Sequence, residues 1–151
     1  MRLRVASLSD LDIIIRHRRS MFSEMGYRDE AALDRMEATS APFIKSGLED
    51  GSYRGWLVEN ADGVVAGGGV VVVGYPSAPH APRACRAWIL NMYTEPNHRG
   101  RGLAKLIMEA MISWCREEGF EWVSLHASDA GRHLYEKLGF KPTNEMRMVL
   151  K

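Results

Sequence analysis

An extended apolar run that passes into a basic, glycine-containing turn and then into a helix constrains this fold more than any other feature. Ala87-Trp88-Ile89-Leu90-Asn91-Met92-Tyr93-Thr94 reads as a strand. The turn Pro96-Asn97-His98-Arg99-Gly100-Arg101-Gly102 follows. Apolar residues then recur at Leu103, Leu106, Ile107, Ala110, Met111, Trp114 and Cys115, the stripe of an amphipathic helix. The first turn of a helix leaves about four backbone N–H groups unpaired and concentrates roughly half a positive charge there. Gly100 and Gly102 remove the side chains that would keep a ligand away from those groups, while Arg99, Arg101 and Lys105 add charge. Such a junction predicts a site for a phosphate-bearing ligand.

The rest of the chain narrows what that ligand is. With 20 Lys and Arg against 19 Asp and Glu, a net charge of +1 makes no case for a surface that coats nucleic acid. The basic cluster at 99–105 is therefore local and suits a small anion. At 151 residues the chain reads as one domain, 1–151, large enough for a real core. Cys85 and Cys115 read as free buried thiols of a reducing compartment, and no ligand spacing among Cys or His predicts a metal. No signal-type apolar core follows Met1 and no membrane-length apolar run occurs, so a soluble cytoplasmic protein without membrane contact is expected.

Along the chain the elements alternate. Leu3–Ala6 is a short strand, and Ser9 or Asp10 caps a helix with its apolar face at Leu11, Ile14, Ile15, Met21, Phe22 and Met25. A second helix starts near Asp29 and carries Leu33, Met36 and Ile44, with Pro42 expected to break or bend it. Strands at 53–59 and 64–73 form a hairpin around Asn60-Ala61-Asp62-Gly63. The proline-rich stretch 74–82 is a loop, and a strand at 84–94 leads into the turn. Gly119 stops the long helix, and 122–127 is a strand. Ser128 or Asp129 caps a helix at 130–138, and 146–150 is a last strand. Gly67-Gly68-Gly69 opens no helix, so it marks a bulge or a close approach within a strand. The order predicts a mixed sheet with helices on both faces.

Arg99-Gly100-Arg101-Gly102-Leu103-Ala104, at this strand-to-helix junction, resembles the phosphate-binding signature of the GNAT (GCN5-related) N-acetyltransferase family: Arg or Gln, two residues, Gly, one residue, then Gly or Ala. Leu134-Tyr135-Glu136-Lys137-Leu138-Gly139-Phe140 is similar to a second segment of that family, on its last helix. The resemblance covers essentially the whole chain. It implies an α+β fold with a central mixed, mostly antiparallel twisted sheet of six to seven strands. It also implies acetyl-CoA as acyl donor, and as acceptor an amine of a small molecule or peptide that attacks directly in a ternary complex. A different acyl-CoA, or a CoA-binding sensor without turnover, is the alternative on the same scaffold. Relatives commonly pair, which leaves room for a homodimer.

Residue by residue, the resemblance places the diphosphate on Arg99, Gly100, Arg101, Gly102, Leu103, Ala104 and Lys105, and the pantetheine arm along the backbone of Met92, Tyr93 and Thr94. Ser128 stands where many relatives carry Asn. Tyr135 matches the general acid that protonates the departing thiolate, a role open to a phenol with an ordinary pKa near 10. Relatives often carry a Glu on the strand before the turn, but residues 86–93 contain no carboxylate. His126, then Glu145, then Glu24 are the candidates for the general base. Phe22, Glu24, Tyr27 and Asn91 fall where relatives bind the acceptor. The basic run Arg16-His17-Arg18-Arg19 reads as a solvated helix face.

Overall fold

Twelve residues of Gly and Val, with one Ala, can lie flat in the middle of a sheet because they present little bulk on either side. In the computed structural model, which describes residues 1–151, that segment is β3 (Gly63–Gly74), the central strand of five. Around it run β1 (Arg2–Val5), β2 (Tyr53–Asn60), β4 (Cys85–Thr94) and β5 (Val123–Leu125), in spatial order one to five. The first four strands pair antiparallel, and β5 joins β4 in parallel. The helices are α1 (Leu11–Glu24), α2 (Glu30–Asp50), α3 (Leu103–Glu117) and α4 (Asp129–Lys137).

Strand alternation divides the core into two layers. Tyr53, Leu57 and Val71 point to one face and meet Ile14 of α1 and Ile44 of α2. Trp56, Val58, Val65 and Val70 point to the other and meet Leu103, Ile107, Met108, Met111 and Cys115 of α3. Ile107, Met108 and Met111 are wholly shielded from water. Each such side chain contributes roughly 1.5–3 kcal/mol of transfer free energy.

Two expectations are corrected here. Pro42 does not break α2, which runs unbroken over 21 residues. Leu33 before the proline and Ile44 after it are both buried, so packing on each side offsets the lost hydrogen bond. Close approach adds to this, since a Cβ on Gly47 would stand 2.5 Å from Tyr53 Cβ. The second correction concerns the expected strand at 146–150, which is absent, leaving five strands rather than six or seven. Its apolar alternation is genuine, but a strand needs a neighbour, and the sheet ends at β5. The other elements fall within a few residues of expectation, and β5 is three residues long instead of six.

The triple glycine is both a bulge and a close approach. The β3–β4 register shifts between Gly67 and Gly69, so Asn91 and Met92 of β4 stand opposite Gly68. A Cβ on Gly68 would lie 2.3 Å from Met92 Sδ, and one on Gly69 would lie 2.3 Å from the Tyr53 hydroxyl.

Candidate functional site

The site is built where β4 and β5 part. Their parallel ladder ends at Ile89 and Leu125, so Leu90 to Thr94 stay paired with β3 on one side and have no strand hydrogen-bonded on the other. Glu95 N–H donates to Val65 O at 2.9 Å. The two-residue period of a strand then turns the backbone groups of Thr94 and Met92 to the open edge and those of Tyr93 toward β3. Met92 and Thr94 thus present backbone polar groups to the split, and the Thr94 carbonyl accepts from Arg99 Nε at 2.9 Å.

The bulge bends β4 at Asn91, the one non-glycine residue with a positive φ, 60°. It is buried among polar partners. Arg18 Nη1 donates to Asn91 Oδ1 at 2.8 Å, and Asn91 Nδ2 donates to the Tyr53 hydroxyl at 3.1 Å. Burial pushes the Tyr53 phenol up to about 12 and works against the charge of Arg18. His17, Tyr53, Gly67, Gly68 and Asn91 surround a cavity of about 10 Å³, space for about one water.

Below the split the chain enters the glycine turn. Gly100 and Gly102 have φ of 72° and 76°, a conformation that a side chain strains. Gly102 caps α3 without any side-chain hydrogen bond. The amides of residues 100–105 donate to no protein acceptor, the nearest cap bonds being Arg99 N–H to Pro96 O and Leu106 N–H to Gly102 O. A row of unpaired amides at the positive end of a 15-residue helix is a cradle for an anion. A diphosphate fits it, because no Cβ and no neighbouring atom lies within 4 Å of the Gly100 or Gly102 Cβ positions.

The basic residues around the turn divide their labour. Arg99 is drawn away from the amides: its Nη2 meets Glu24 Oε2 at 2.5 Å and its guanidinium lies over the Tyr93 ring. The Tyr93 hydroxyl donates to the other Glu24 oxygen at 2.9 Å. Burial opposes the charge of Glu24, but these two donors outweigh it and lower its pKa. Glu24 is therefore a strut joining the end of α1 to β4 and the turn. Arg101 donates to Asn97 O, and Lys105 stands 3.7 Å from Glu109, both exposed.

On the far wall, His126 follows β5 directly. It stacks on Trp88 at 4.9 Å and its Nε2 lies 3.5 Å from Glu145 Oε1, which unites the first two base candidates in one pair. Ser128 caps α4 by accepting from Gly131 N–H at 3.2 Å. Tyr135 is half-buried against Phe140 and close to Gly131, and burial raises its pKa. Phe22 and Tyr27 meet edge to face at 5.5 Å and line a cavity of about 450 Å³ with Arg28, Asp29, Leu33 and Met36.

The basic run of α1 is not the solvated face that its composition suggests. Arg16 meets Glu95, Arg18 meets Asn91, and Arg19 meets Glu30, Asp34 and Glu37 of α2. His17 is buried, with Nε2 at 3.2 Å from Glu95 Oε1. Desolvation lowers its pKa, and Glu95 recovers only part of the loss. Arg18, His17, Tyr53 and Glu95 are the site residues that the sequence did not single out. A helical wheel would have found one signal: His17 lies three residues after Ile14, on the apolar side.

Comparison with known proteins agrees with this geometry. Residues 15–140 match the acetyltransferase (GNAT) family. Human N-acetyltransferase 8B is 29% identical over 93 residues, 60% of this chain and 39% of that protein. The matched stretches cover 38% to 44% of the curated relatives' own lengths. A crystal structure of a GCN5-related N-acetyltransferase from Ralstonia eutropha JMP134 is 35% identical and superposes with a TM-score of 0.91, over 99% of this chain and 97% of that one. A predicted acetyltransferase from Clostridium acetobutylicum, crystallised with acetyl-CoA, shares the fold at a TM-score of 0.88, with 23% identity over 98% of this chain and 94% of that one.

Proposed function

This chain belongs to the GNAT acetyltransferase family, and from that premise we propose that it is an acetyl-CoA-dependent N-acetyltransferase acting on a primary amine of a small molecule or peptide. The observation that carries the reading is the cradle of unpaired amides at residues 100–105, opening beside a strand edge left bare by the β4–β5 split. Bound there, acetyl-CoA supplies an acetyl group activated as a thioester.

The chain's own residues then divide the work. The amides of 100–105, with Arg101 and Lys105, hold the diphosphate. Met92 and Thr94 offer strand-like hydrogen bonds to the pantetheine arm, and the N–H near Met92 stabilises charge that develops on the thioester oxygen. Tyr135, kept protonated by burial, donates its proton to the departing sulfur. His126, paired with Glu145, accepts the proton that an alkylammonium with an ordinary pKa of about 10.4 must lose before it attacks. The cavity at Phe22 and Tyr27 takes the body of the acceptor and orients its amine across Asn91, so that positioning supplies much of the acceleration. Amines rather than nucleic acid or a lipid surface are the partners in this reading, the compartment is the cytoplasm, and two copies are free to pair.

Calorimetry with CoA, followed by thiol release from acetyl-CoA across a panel of amines, tests the proposal. Binding with amine-dependent release is expected. Binding without release from any acyl-CoA would leave a CoA-binding scaffold, and no binding would remove the reading.

A further inference from the structure

The arginines of α1 are balanced on either side of Arg18 but not at Arg18 itself. Arg16 is paired with Glu95, and Arg19 with Glu30, Asp34 and Glu37. Arg18 makes no ion pair. Its Nε donates to Ser40 Oγ at 3.2 Å and its Nη1 to Asn91 Oδ1 at 2.8 Å, both neutral oxygens. Its Nη2 donates to no protein acceptor and is not sealed from water. Tyr53 supplies no countercharge, because burial pushes its phenol up to about 12 and keeps it neutral. Burial works against the charge of Arg18 as well. A half-buried guanidinium, fixed by two neutral acceptors and with one amino group unused, is half of an ion pair whose anion the chain does not provide.

The unused group stands where an acceptor would enter. The Arg18 guanidinium lies 5.0 Å from the centroid of the Phe22 ring, and Phe22 lines the cavity of about 450 Å³. Its partner Asn91 precedes Met92, whose backbone faces the split between β4 and β5. The carboxylates nearby are already engaged. Glu24 is held by Arg99 and Tyr93, Glu95 by Arg16 and His17, and Asp29 accepts from the Ala32 amide. Phe22, Leu33 and Met36 give the cavity an apolar wall. A molecule seated there meets apolar surface along its body and uncompensated positive charge at the end nearest Asn91.

We propose that the acceptor is an amine carrying a carboxylate close to its reacting nitrogen and an apolar remainder, an apolar α-amino acid, with its carboxylate on Arg18 Nη2. The proposal rests on the acetyltransferase reading and narrows its substrate. In an α-amino acid the carboxylate and the amine hang on one carbon, so anchoring the first at Arg18 keeps the second beside Asn91 and Met92. The side chain then fills the cavity at Phe22. A polyamine meets repulsion from Arg18, and a peptide N-terminus, whose neighbouring carbonyl is an amide, offers the guanidinium no charge. As the nitrogen forms its bond to the acetyl carbon, the thioester C–S bond breaks. Of the two protons the ammonium loses, one passes to solvent and one replaces the acetyl group on sulfur, leaving an N-acetyl amino acid and free CoA.

The test compares L-leucine, L-methionine and L-phenylalanine, each with its own carboxamide, by kcat/KM for thiol release from acetyl-CoA. A carboxylate stabilises its neighbouring ammonium, so the carboxamides hold more free amine at neutral pH and have the intrinsic advantage. The wild-type chain is nevertheless expected to favour at least one acid over its carboxamide by at least about tenfold, the scale of a charge-assisted hydrogen bond. Arg18→Gln is expected to bring that ratio within about threefold of one, chiefly by raising KM for the acid. A purely structural Arg18 would lower acid and carboxamide alike and leave the ratio unchanged, which overturns the proposal. So does a wild-type ratio of one or below for all three pairs, or a preference for peptide N-termini or polyamines. If Arg18→Gln fails to fold, Arg18→Lys, which keeps the charge but not the fork, is read in the same way. A chain that binds CoA yet transfers to no amine fails the acetyltransferase reading itself. Calorimetry of the same acid and carboxamide pairs into the CoA complex then measures the preference without turnover, with the same outcomes deciding.

Discussion

Arg18 Nη1 donates to Asn91 Oδ1 across 2.8 Å and joins the first helix to the residue on which β4 bends. Asn91 holds a left-handed backbone, φ 60°, which Asn tolerates better than most residues but which still costs free energy. The hydrogen bonds to Arg18 and Tyr53 offset that cost and fix the bulge opposite Gly68. Arg18→Ala leaves a buried amide oxygen without its charged donor, so a loss of about 1–3 kcal/mol in urea unfolding is expected. Because the bulge aims the neighbouring amides into the split, turnover should fall while CoA affinity at the distant turn stays within a few-fold.

The two crowded glycines should answer differently to the same added methyl. At Gly68 the intruding atom meets mainly the Met92 thioether, which can swing aside, and presses less closely on Ile107 Cγ2 at 3.0 Å. At Gly69 it meets the ring and hydroxyl of Tyr53, which is buried and bonded to Asn91. Overpacking of this kind costs typically about 1–3 kcal/mol. Gly69→Ala should reach or exceed the upper end and Gly68→Ala should fall below it, a ranking that chemical denaturation reads directly.

Burial of His17 makes a pH prediction with a definite sign. Its native pKa lies below the ordinary 6.5, so between the two values the unfolded chain binds a proton that the native one does not. Stability from this group is therefore present above about pH 6.5 and is lost as pH falls toward the native value. Melting temperature should begin to decline near pH 6.5, and His17→Gln should remove that portion. Asp10 acts in a separate window. Hydrogen bonds from Arg4 hold its pKa down to about 2 against an ordinary 3.8, so its contribution fades only below about pH 4.

Substitutions at the turn separate strain from charge. Gly102→Ala imposes a left-handed backbone on a side chain, at about 1–2 kcal/mol, and meets no neighbouring atom. Gly102→Asp adds no more strain than alanine, since a short polar side chain tolerates that backbone better, and sets a negative charge against the cradle. Calorimetry should show CoA affinity lowered on the order of tenfold, about 1.4 kcal/mol, beyond the alanine variant.

Tyr135→Phe tests the acid. The phenol packs against Phe140 and Gly131 by its ring, which phenylalanine keeps, so the fold should persist. Proton transfer by a placed side chain is worth typically about 10²–10⁴ in rate. Turnover should drop by that order with CoA affinity little changed, and unaltered steady-state kinetics would reduce Tyr135 to a packing residue.

Much of this molecule was legible along the chain because its signals are local. The turn at 99–105 declares itself by two glycines, three basic residues and the helical stripe that follows, and each of these acts within one or two turns of backbone. The hairpin, the start of the second helix near Asp29, the cap at Ser128 and the close approach at Gly67–Gly69 are legible for the same reason. The basic run at 16–19 was misleading because charge says nothing of where a partner stands. Glu95 is 78 residues from His17 in the chain and hydrogen-bonded to it in space. The continuity of α2 through Pro42 also lies outside local rules, since packing at Leu33 and Ile44 overrides the broken hydrogen bond.

The amino-acid order by itself determined where amides would be left unpaired and which faces would be apolar, since backbone geometry and side-chain period need only near neighbours. Tertiary structure alone decided which charges would meet, that Asn91 would bend the strand, and that residues 146–150 would find no neighbour in their own sheet. Those outcomes depend on contacts between residues far apart in the chain, and a strand pattern, however clear, becomes a strand only when a second edge accepts its hydrogen bonds.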